Sequence, residues 1–231
     1  MKPESSTHPR HPGVRSPEQL ERYLQDARDY WFHLYRPREG DVIVDIGAGR
    51  GEDVYAFSLG VGPKGRVWAI EAHPENFRHL VEFCDAYGLT NVVCLNLACT
   101  DRPGQMQVET LPVWESNYVR EGPPSPTSYP VEAIPFDAVC RRHGIGRIDF
   151  LKMNIEGGER TALPGCREAL RRTRYCCVAA HDFRADRGEG EHFRTRTFVW
   201  DFLSEAGFTL VTRDDDPRYY VPYHIHGYRP E

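Results

Sequence analysis

Residues 41–51 read DVIVDIGAGRG and join a short apolar run to a glycine-rich turn. The run is rich in β-branched residues, which is typical of a strand covered by helices on both faces, so we predict a buried parallel strand at 41–46. Gly47, Gly49 and Gly51 then alternate, which allows a sharp turn and lets a ligand approach the backbone without meeting a Cβ. A helix at 52–60 is predicted to follow, with its first N–H groups facing the turn.

The acidic residues around this turn indicate which ligand it binds. The spacing G-x-G-x-G differs from the G-x-G-x-x-G of dinucleotide sites, and Asp45 at the strand end suits a cationic or amino-bearing ligand. S-adenosylmethionine carries both a sulfonium and an ammonium group. Glu71 follows a second predicted strand about twenty residues later, where a carboxylate can accept both ribose hydroxyls.

Three sequence blocks carry a resemblance to a known family. They are VDIGAGRG at 44–51, EAHPENFRHL at 71–80 and IDFLKMNIEGGE at 148–159. With their spacing, they resemble the FkbM-type family of class I S-adenosylmethionine-dependent methyltransferases, over roughly residues 41–207. The chain departs from the usual family pattern at Asn154, where an aspartate is typical. The resemblance implies methyl transfer, most often to a hydroxyl of a small molecule such as a sugar, a polyketide or another secondary metabolite.

The order of elements predicts an α/β fold with a doubly wound, Rossmann-like sheet. Strands are predicted at 41–46, 66–71, 91–97, 148–153 and 174–180, and helices at 52–60, 74–87, 134–143 and 159–171. Residues 208–212 and 221–228 lack an intervening helix and are predicted to pair as an antiparallel hairpin, as the resemblance also implies for the end of a mostly parallel sheet.

Length and composition predict one domain with a few additions. The length of 231 residues favours a single domain at 16–231, which opens with a helix at 16–36. The polar, proline-containing composition of residues 1–15 predicts a mobile tail. The segment 111–130 holds five prolines, and we weigh an irregular insertion or edge hairpin equally against a loop that covers the substrate, with Trp114 and Tyr118 as its notable aromatics.

The same composition argues against several partners and locations. A formal charge of −5 and scattered basic residues exclude a general nucleic-acid binder. No apolar run resembles a signal peptide or a membrane span, so we expect no membrane partner and a cytoplasmic location. The seven cysteines show no zinc-type spacing and are interpreted as reduced core thiols. Nothing in the sequence indicates an oligomeric state.

Ligands of open α/β sheets bind beyond the carboxyl ends of the strands, which defines the candidate residues. The candidate acceptor-side catalytic residues are His181, whose intrinsic pKa suits a general base, its neighbour Asp182, and Glu156 as a second base. The alternative for His181 and Asp182 is that they only terminate a strand. The predicted cofactor-binding residues are Asp45, Gly47, Ala48, Gly49, Gly51, Glu71, Ala72, Asn96, Ala98 and Asn154.

Metal binding is a less favoured hypothesis. His181, Asp182, Glu156, Asn154 and His192 offer enough donors for a divalent ion, but spacing alone does not establish a site and Asn154 removes a charge, so no metal ligand is assigned. His224 and His226 alternate along the last predicted strand and share a face, a pattern more typical of surface or core histidines than of ligands.

Two other functions compete with methyl transfer. An NAD(P)-dependent oxidoreductase would share the ribose carboxylate, but it should have the longer glycine spacing and a hydride-site pair, which we do not find. A catalytically inactive cofactor-binding module is the second alternative, and Asn154 is the best argument for it.

Overall fold

The computed structural model describes residues 15–230, so the predicted tail lies outside the described residues except for Arg15. The strands are β1 (Val42–Ile46), β2 (Arg66–Ile70), β3 (Val92–Leu95), β4 (Ala98–Cys99), β5 (Gly104–Glu109), β6 (Tyr118–Arg120), β7 (Ser128–Ile134), β8 (Ile148–Met153), β9 (Thr173–Ala179), β10 (Thr209–Val211) and β11 (His224–Tyr228). The helices are α1 (Pro17–Asp26), α2 (Glu52–Val61), α3 (Pro74–Ala86), α4 (Phe136–His143), α5 (Glu159–Ala162), α6 (Arg167–Arg171), α7 (Asp182–Asp186) and α8 (Arg196–Glu205).

Seven strands form the main sheet in the order β10-β11-β9-β8-β1-β2-β3. The strands from β9 to β3 run parallel, whereas β11 lies antiparallel to both β9 and β10. Sequence order reverses between β1 and β8, which is the switch point where open α/β sheets bind ligands. The predicted fold class and the antiparallel C-terminal hairpin are confirmed.

Alternation along the central strands builds a core on each face of the sheet. On β1, Val44 and Ile46 pack in one cluster of buried residues, while Ile43 packs in the other. Phe150 on β8 lies in the same cluster as Ile43, where the ring of Tyr35 stacks on it at 5.0 Å. Burial on both faces accounts for the nearly continuous apolar character of these strands.

The region after β3 forms a second sheet that the sequence did not predict. Its strands lie in the order β4-β7-β5-β6, with β5 antiparallel to both of its neighbours. The expected irregular insertion at 111–130 is therefore only part of a larger unit, which includes β6, the first residues of β7 and a short 3₁₀ turn at Trp114–Ser116. Ala98, Val108 and Val131 form a small core under this sheet.

Two predicted helices are shorter than expected. The leading helix ends at Asp26 and continues as a π-helical turn at Ala27–Trp31, so it does not reach residue 36. Its start was predictable, because Ser16 caps the helix, Pro17 occupies the first helical position, and Gln19 completes a capping box with Ser16. The helix predicted at 159–171 is divided into α5, a 3₁₀ turn at Leu163–Cys166 that contains a proline, and α6.

The two histidines of β11 lie in the core. Both His224 and His226 are buried, and burial lowers the pKa of each to about 3, with neighbouring positive groups adding to the effect. All seven cysteines are free thiols, in agreement with the prediction. Between residues 15 and 230, no helix has both the length and the apolar character that crossing a bilayer requires.

Candidate active site

A cavity of about 370 Å³ opens at the carboxyl ends of β1, β2 and β8. This volume is in the range typical of small-molecule sites. Of the thirteen predicted site residues, eight line it: Gly47, Ala48, Gly49, Glu71, Ala72, Ala98, Asn154 and Glu156. The other five, which are Asp45, Gly51, Asn96, His181 and Asp182, lie behind the wall or outside it.

The glycine turn forms the floor of the cavity. Gly47 has a φ of +86°, and a Cβ placed on it would lie 2.0 Å from the carbonyl oxygen of Asn154. Its neighbour on the turn, Gly49, has a φ of +58°, and a Cβ there would lie 2.9 Å from the Trp114 ring. Both positions therefore require glycine, for backbone conformation and for close approach.

Asp45 acts beneath the floor rather than on the cavity surface. It is fully buried, and its carboxylate lies 2.8 Å from the ammonium group of Lys152, which also lies 3.4 Å from Asp53. Burial raises the pKa of Asp45 to about 6, with Lys152 opposing the shift. The Lys152 ammonium also donates to the carbonyl oxygen of Gly47 at 2.8 Å, so this pair holds the turn in place. Asp45 does not line the cavity, whereas Lys152 and Asp53 do, so its direct contact with the ligand stays a prediction that the geometry does not favour.

Glu71 is the buried carboxylate on the β2 side of the cavity. It accepts hydrogen bonds from the backbone N–H groups of Gly49 and His73, each at 2.8 Å. Burial raises its pKa to about 7, although these two N–H groups favour the ionised form. Asn96, a predicted cofactor-binding residue, donates to the carbonyl oxygens of Glu71 and Ala72. It therefore shapes the loop that carries Glu71 and does not line the cavity.

Glu156 lies on the opposite side of the cavity and has an unusual backbone conformation. Its φ of +52° is the one positive value among the described non-glycine residues. One carboxylate oxygen is 3.0 Å from Nε2 of His181, and the other accepts a 2.6 Å hydrogen bond from Arg184. Burial alone would raise the pKa of Glu156, but His181 and Arg184 together lower it, so the group is ionised at neutral pH.

His181 lies between two carboxylates. Its Nδ1 is 3.2 Å from Glu159, a fully buried residue that also accepts a hydrogen bond from Thr195, and its Nε2 faces Glu156. Burial would lower the pKa of His181, but the two glutamates outweigh it and raise the pKa to about 10. A protonated imidazole has no free lone pair. The general-base role of His181 stays a prediction, but these surroundings favour a role in holding Glu156.

Asp182 and Gly51 have structural contacts in place of the predicted site contacts. Asp182 accepts hydrogen bonds from the backbone N–H groups of Thr195 and Arg196, both at 2.8 Å, at the start of α8. This favours the alternative interpretation of Asp182 as a residue that stabilises local structure. Gly51 precedes α2 with a φ of +100°, and its α-carbon packs against Phe83.

The second sheet covers the cavity through its aromatic residues. Trp114 and Tyr118 both line the cavity, and the guanidinium of Arg50 lies 4.7 Å from the centre of the Trp114 ring. Arg184 also contacts the carbonyl oxygen of Ser116, next to this turn, so the cover is connected to the residues around Glu156. These contacts favour the covering role over the irregular insertion for this part of 111–130.

The leading helix contributes to the same wall. Arg22 and Tyr23 of α1 line the cavity, although neither was among the predicted site residues. Tyr23 also packs in the core, since its ring contacts Phe83 at 6.5 Å between centroids. Periodicity shows which face of a helix is covered, but it does not distinguish a core neighbour from a cavity.

The donors considered for a divalent ion belong to different contacts. Glu156 and His181 pair with each other, Asp182 binds the backbone at α8, and His192 packs on the rings of Tyr118 and Phe193. Asn154 lines the cavity, and its buried Oδ1 has no hydrogen-bond partner in the described part of the chain. A side-chain oxygen in this position is available to a ligand.

Comparison with solved structures supports the fold. The methyltransferase FkbM from Methylobacillus flagellatus KT matches with 21% identity and a TM-score of 0.54, over 84% of this chain and 45% of that protein, so the chain spans less than half of that relative. Aeropyrum pernix fibrillarin in complex with natively bound S-adenosyl-L-methionine matches with 16% identity and a TM-score of 0.53, over 90% of this chain and 76% of that one.

A third structure resembles the chain over almost its whole length. It is a putative methyltransferase from Streptococcus mutans in complex with SAH, with 10% identity and a TM-score of 0.54, over 94% of this chain and 99% of that one. No curated protein sequence matches the chain. The sequence model described as the methyltransferase FkbM domain matches residues 45–210, which include the glycine turn, Glu71 and Glu156. The chain therefore belongs to the FkbM family of methyltransferase domains.

Proposed function

We propose that the protein binds S-adenosylmethionine and methylates a hydroxyl group of a small molecule. The observation that carries this proposal is the convergence of three features on one cavity: the glycine turn, the buried carboxylate of Glu71 and, opposite them, the ionised Glu156. The first two suit the cofactor and the third suits the acceptor.

The cavity fits the cofactor in shape and charge. Gly47 and Gly49 leave space where a side chain would block the approach of a ligand to the backbone. Glu71 offers carboxylate oxygens for ribose hydroxyls, in the position that such a residue occupies in related nucleotide sites. Five carboxylates line the cavity against two cationic side chains, Arg22 and Lys152, which favours a ligand with positive charge.

When bound, the cofactor supplies an electrophilic methyl group on a positively charged sulfur. The contribution of the protein is to align the acceptor oxygen and to receive its proton. Glu156 is placed for both tasks, because it lines the cavity as a carboxylate that can accept a hydrogen bond from a hydroxyl. His181 and Arg184 hold this carboxylate from behind and leave it ionised.

The charge of the cavity also restricts the acceptor. The carboxylates at Glu52, Glu115 and Glu156 disfavour a phosphorylated or otherwise anionic molecule, since the lining offers few cations to neutralise it. A neutral or amino-bearing hydroxyl compound fits better, such as a sugar, a polyketide or another secondary metabolite. Nucleic acid and membrane surfaces do not suit this lining.

The first experiment measures cofactor binding by calorimetry. S-adenosylmethionine, S-adenosylhomocysteine and NADPH are titrated into the wild-type protein, into Glu71→Gln and into Glu205→Gln, a control at an exposed glutamate on α8. We expect micromolar binding of both adenosyl compounds to the wild type and the control, and much weaker binding to Glu71→Gln. Binding of NADPH alone would replace the proposal with an oxidoreductase.

The second experiment measures turnover. Formation of S-adenosylhomocysteine is followed with a panel of neutral, cationic and phosphorylated hydroxyl compounds, with EDTA or Mg²⁺ added in parallel. We expect turnover with a neutral or amino-bearing member of the panel and no effect of EDTA. Transfer to an amine or carbon atom in the product would refute O-methylation, and loss of turnover in EDTA would show that a metal is needed.

A further inference from the structure

Three potential metal ligands meet inside the protein, away from the cavity described above. The side chains of Cys177, His224 and His226 are all buried, and each offers a donor atom within 4.8 Å of the other two. In the part of the chain that the structure describes, this is the one group of three or more potential metal ligands whose donor atoms all lie within 4.8 Å of one another. None of the three lines the proposed methyl-transfer cavity.

The pairing of β9 with β11 brings these residues together. His226 lies directly opposite Cys177 in the antiparallel register, and His224 lies opposite Ala179. Residues two apart on a strand share a face, so all three side chains project to the same side of the sheet. The small side chain of Ala179 leaves room beside the His224 ring.

One polar atom of this group lacks the hydrogen bond that buried polar atoms normally have. Nδ1 of His224 has no partner anywhere in residues 15–230, and the Cys177 thiol is 4.0 Å from Nε2 of His226. The His224 ring is held in orientation, because it stacks on Trp31 at 5.0 Å with an angle of 15°. An oriented, buried imidazole with an unused nitrogen resembles a metal ligand more than a hydrogen-bonded core residue.

His33 connects this group to the surface. Its ring lies 5.0 Å from that of His226, and the residue is exposed to solvent. It follows the π-helical turn that ends at Trp31, and its imidazole is a further donor beside the group.

We propose that Cys177, His224 and His226 bind a single thiophilic metal ion, Zn²⁺ or Cu⁺, with His33 as a fourth ligand or as the residue that admits the ion. Soft thiolate and imidazole donors are the ones that these two ions prefer. Bond lengths of about 2.0 to 2.3 Å place bound donors roughly 3.5 Å apart, so the two imidazoles must move inward by about 1 Å. Binding forms a metal–sulfur bond and releases the thiol proton of Cys177 to solvent.

The test is a competition titration with a matched cysteine control. Wild-type protein, Cys177→Ala and Cys176→Ala are titrated with Zn²⁺ against a chromophoric chelator, and with Cu⁺ under anaerobic conditions against a Cu⁺-specific chelator. Cys176 is the adjacent buried residue on β9 but belongs to the core on the opposite face. Thermal unfolding with and without metal shows whether each variant is folded.

We expect one ion per chain in the wild type and in Cys176→Ala, with affinity at least 100-fold weaker in Cys177→Ala. Metal should raise the melting temperature of the first two proteins and not of the third. Equal binding by all three proteins would show an adventitious ion only and would overturn the proposal, as would the absence of one-to-one binding in the wild type. If Cys177→Ala does not fold, His33→Ala and His226→Gln provide the same comparison, with weaker binding expected in both.

Discussion

Cofactor affinity should depend on pH through Glu71. The perturbation is Glu71→Gln, which keeps the shape of the side chain and removes its ionisation. In the wild type, burial raises the pKa of Glu71 to about 7, so the carboxylate is about 90% ionised at pH 8 and about 10% ionised at pH 6. If only the ionised form accepts the two ribose hydroxyls, the dissociation constant rises about tenfold from pH 8 to pH 6, or about 1.4 kcal/mol.

The assay needs a ligand that reports on the ribose contact alone. Methylthioadenosine carries the adenine and ribose without the amino acid group, so titration of the ligand ammonium does not enter the result. Calorimetry at pH 6, 7 and 8 should show the tenfold change in the wild type. The Glu71→Gln protein should bind more weakly and with no change over this range.

The raised pKa of Glu71 also makes the unfolding free energy depend on pH, and the direction of this dependence provides a second readout. The folded protein holds a proton on Glu71 up to about pH 7, whereas an unfolded glutamate loses it near 4.5. Unfolding free energy should therefore fall as pH rises from about 4.5 to 7, by up to about 3 kcal/mol, and this part of the dependence should be missing in Glu71→Gln. Parallel pH profiles for the two proteins, in binding and in stability, would refute the reasoning.

Three further substitutions test other parts of the site. Gly47→Ala places a Cβ against the carbonyl oxygen of Asn154 at an unfavourable φ. We therefore expect the unfolding free energy, measured by denaturant melts, to fall by more than about 2 kcal/mol. Cofactor binding, measured by calorimetry, should be lost as well. Trp114→Ala should weaken cofactor binding about fivefold or more with little change in stability, whereas Trp200→Ala at an exposed position should change neither. Glu156→Gln should lower kcat by at least about 100-fold while cofactor affinity stays within about twofold; an unchanged kcat would refute its role.

The central architecture could be predicted because its signals are local. The apolar run at 41–46, the glycine turn and the absence of a helix between β10 and β11 each reflect a short-range constraint, and the observed strands follow them. The second sheet could not be predicted in this way. Two of its strands are short, β7 contains Pro130, and a proline-rich segment separates β6 from β7, so neither periodicity nor propensity identifies it.

Within the site, the sequence identified the positions but not the distances. Glu71 and Glu156 follow strand ends as expected and reach the cavity, whereas Asp45 still lies within β1, is fully buried and does not line the cavity. The block that contains Lys152 was noted as a family feature, but a lysine inside an apolar strand has no assigned role until its partner is known. Its ion pair with Asp45 is a contact between two parallel strands, which spacing along the chain does not show.

The two ends of the cavity differ in how the charge of their buried carboxylate is compensated. Glu156 is compensated by protein cations, His181 and Arg184, so its charge is maintained without a ligand. Glu71 receives only backbone N–H groups, and no cation among residues 15–230 lies within ion-pair distance of it. Burial therefore raises its pKa to about 7, although these N–H groups oppose the shift. A buried carboxylate without a counter-ion is costly for the fold alone. The free-energy cost of burying this carboxylate is offset when a ligand donates hydrogen bonds to it. The β2 side of the cavity is therefore completed by the cofactor. The Glu156 side, in contrast, is organised before the acceptor arrives.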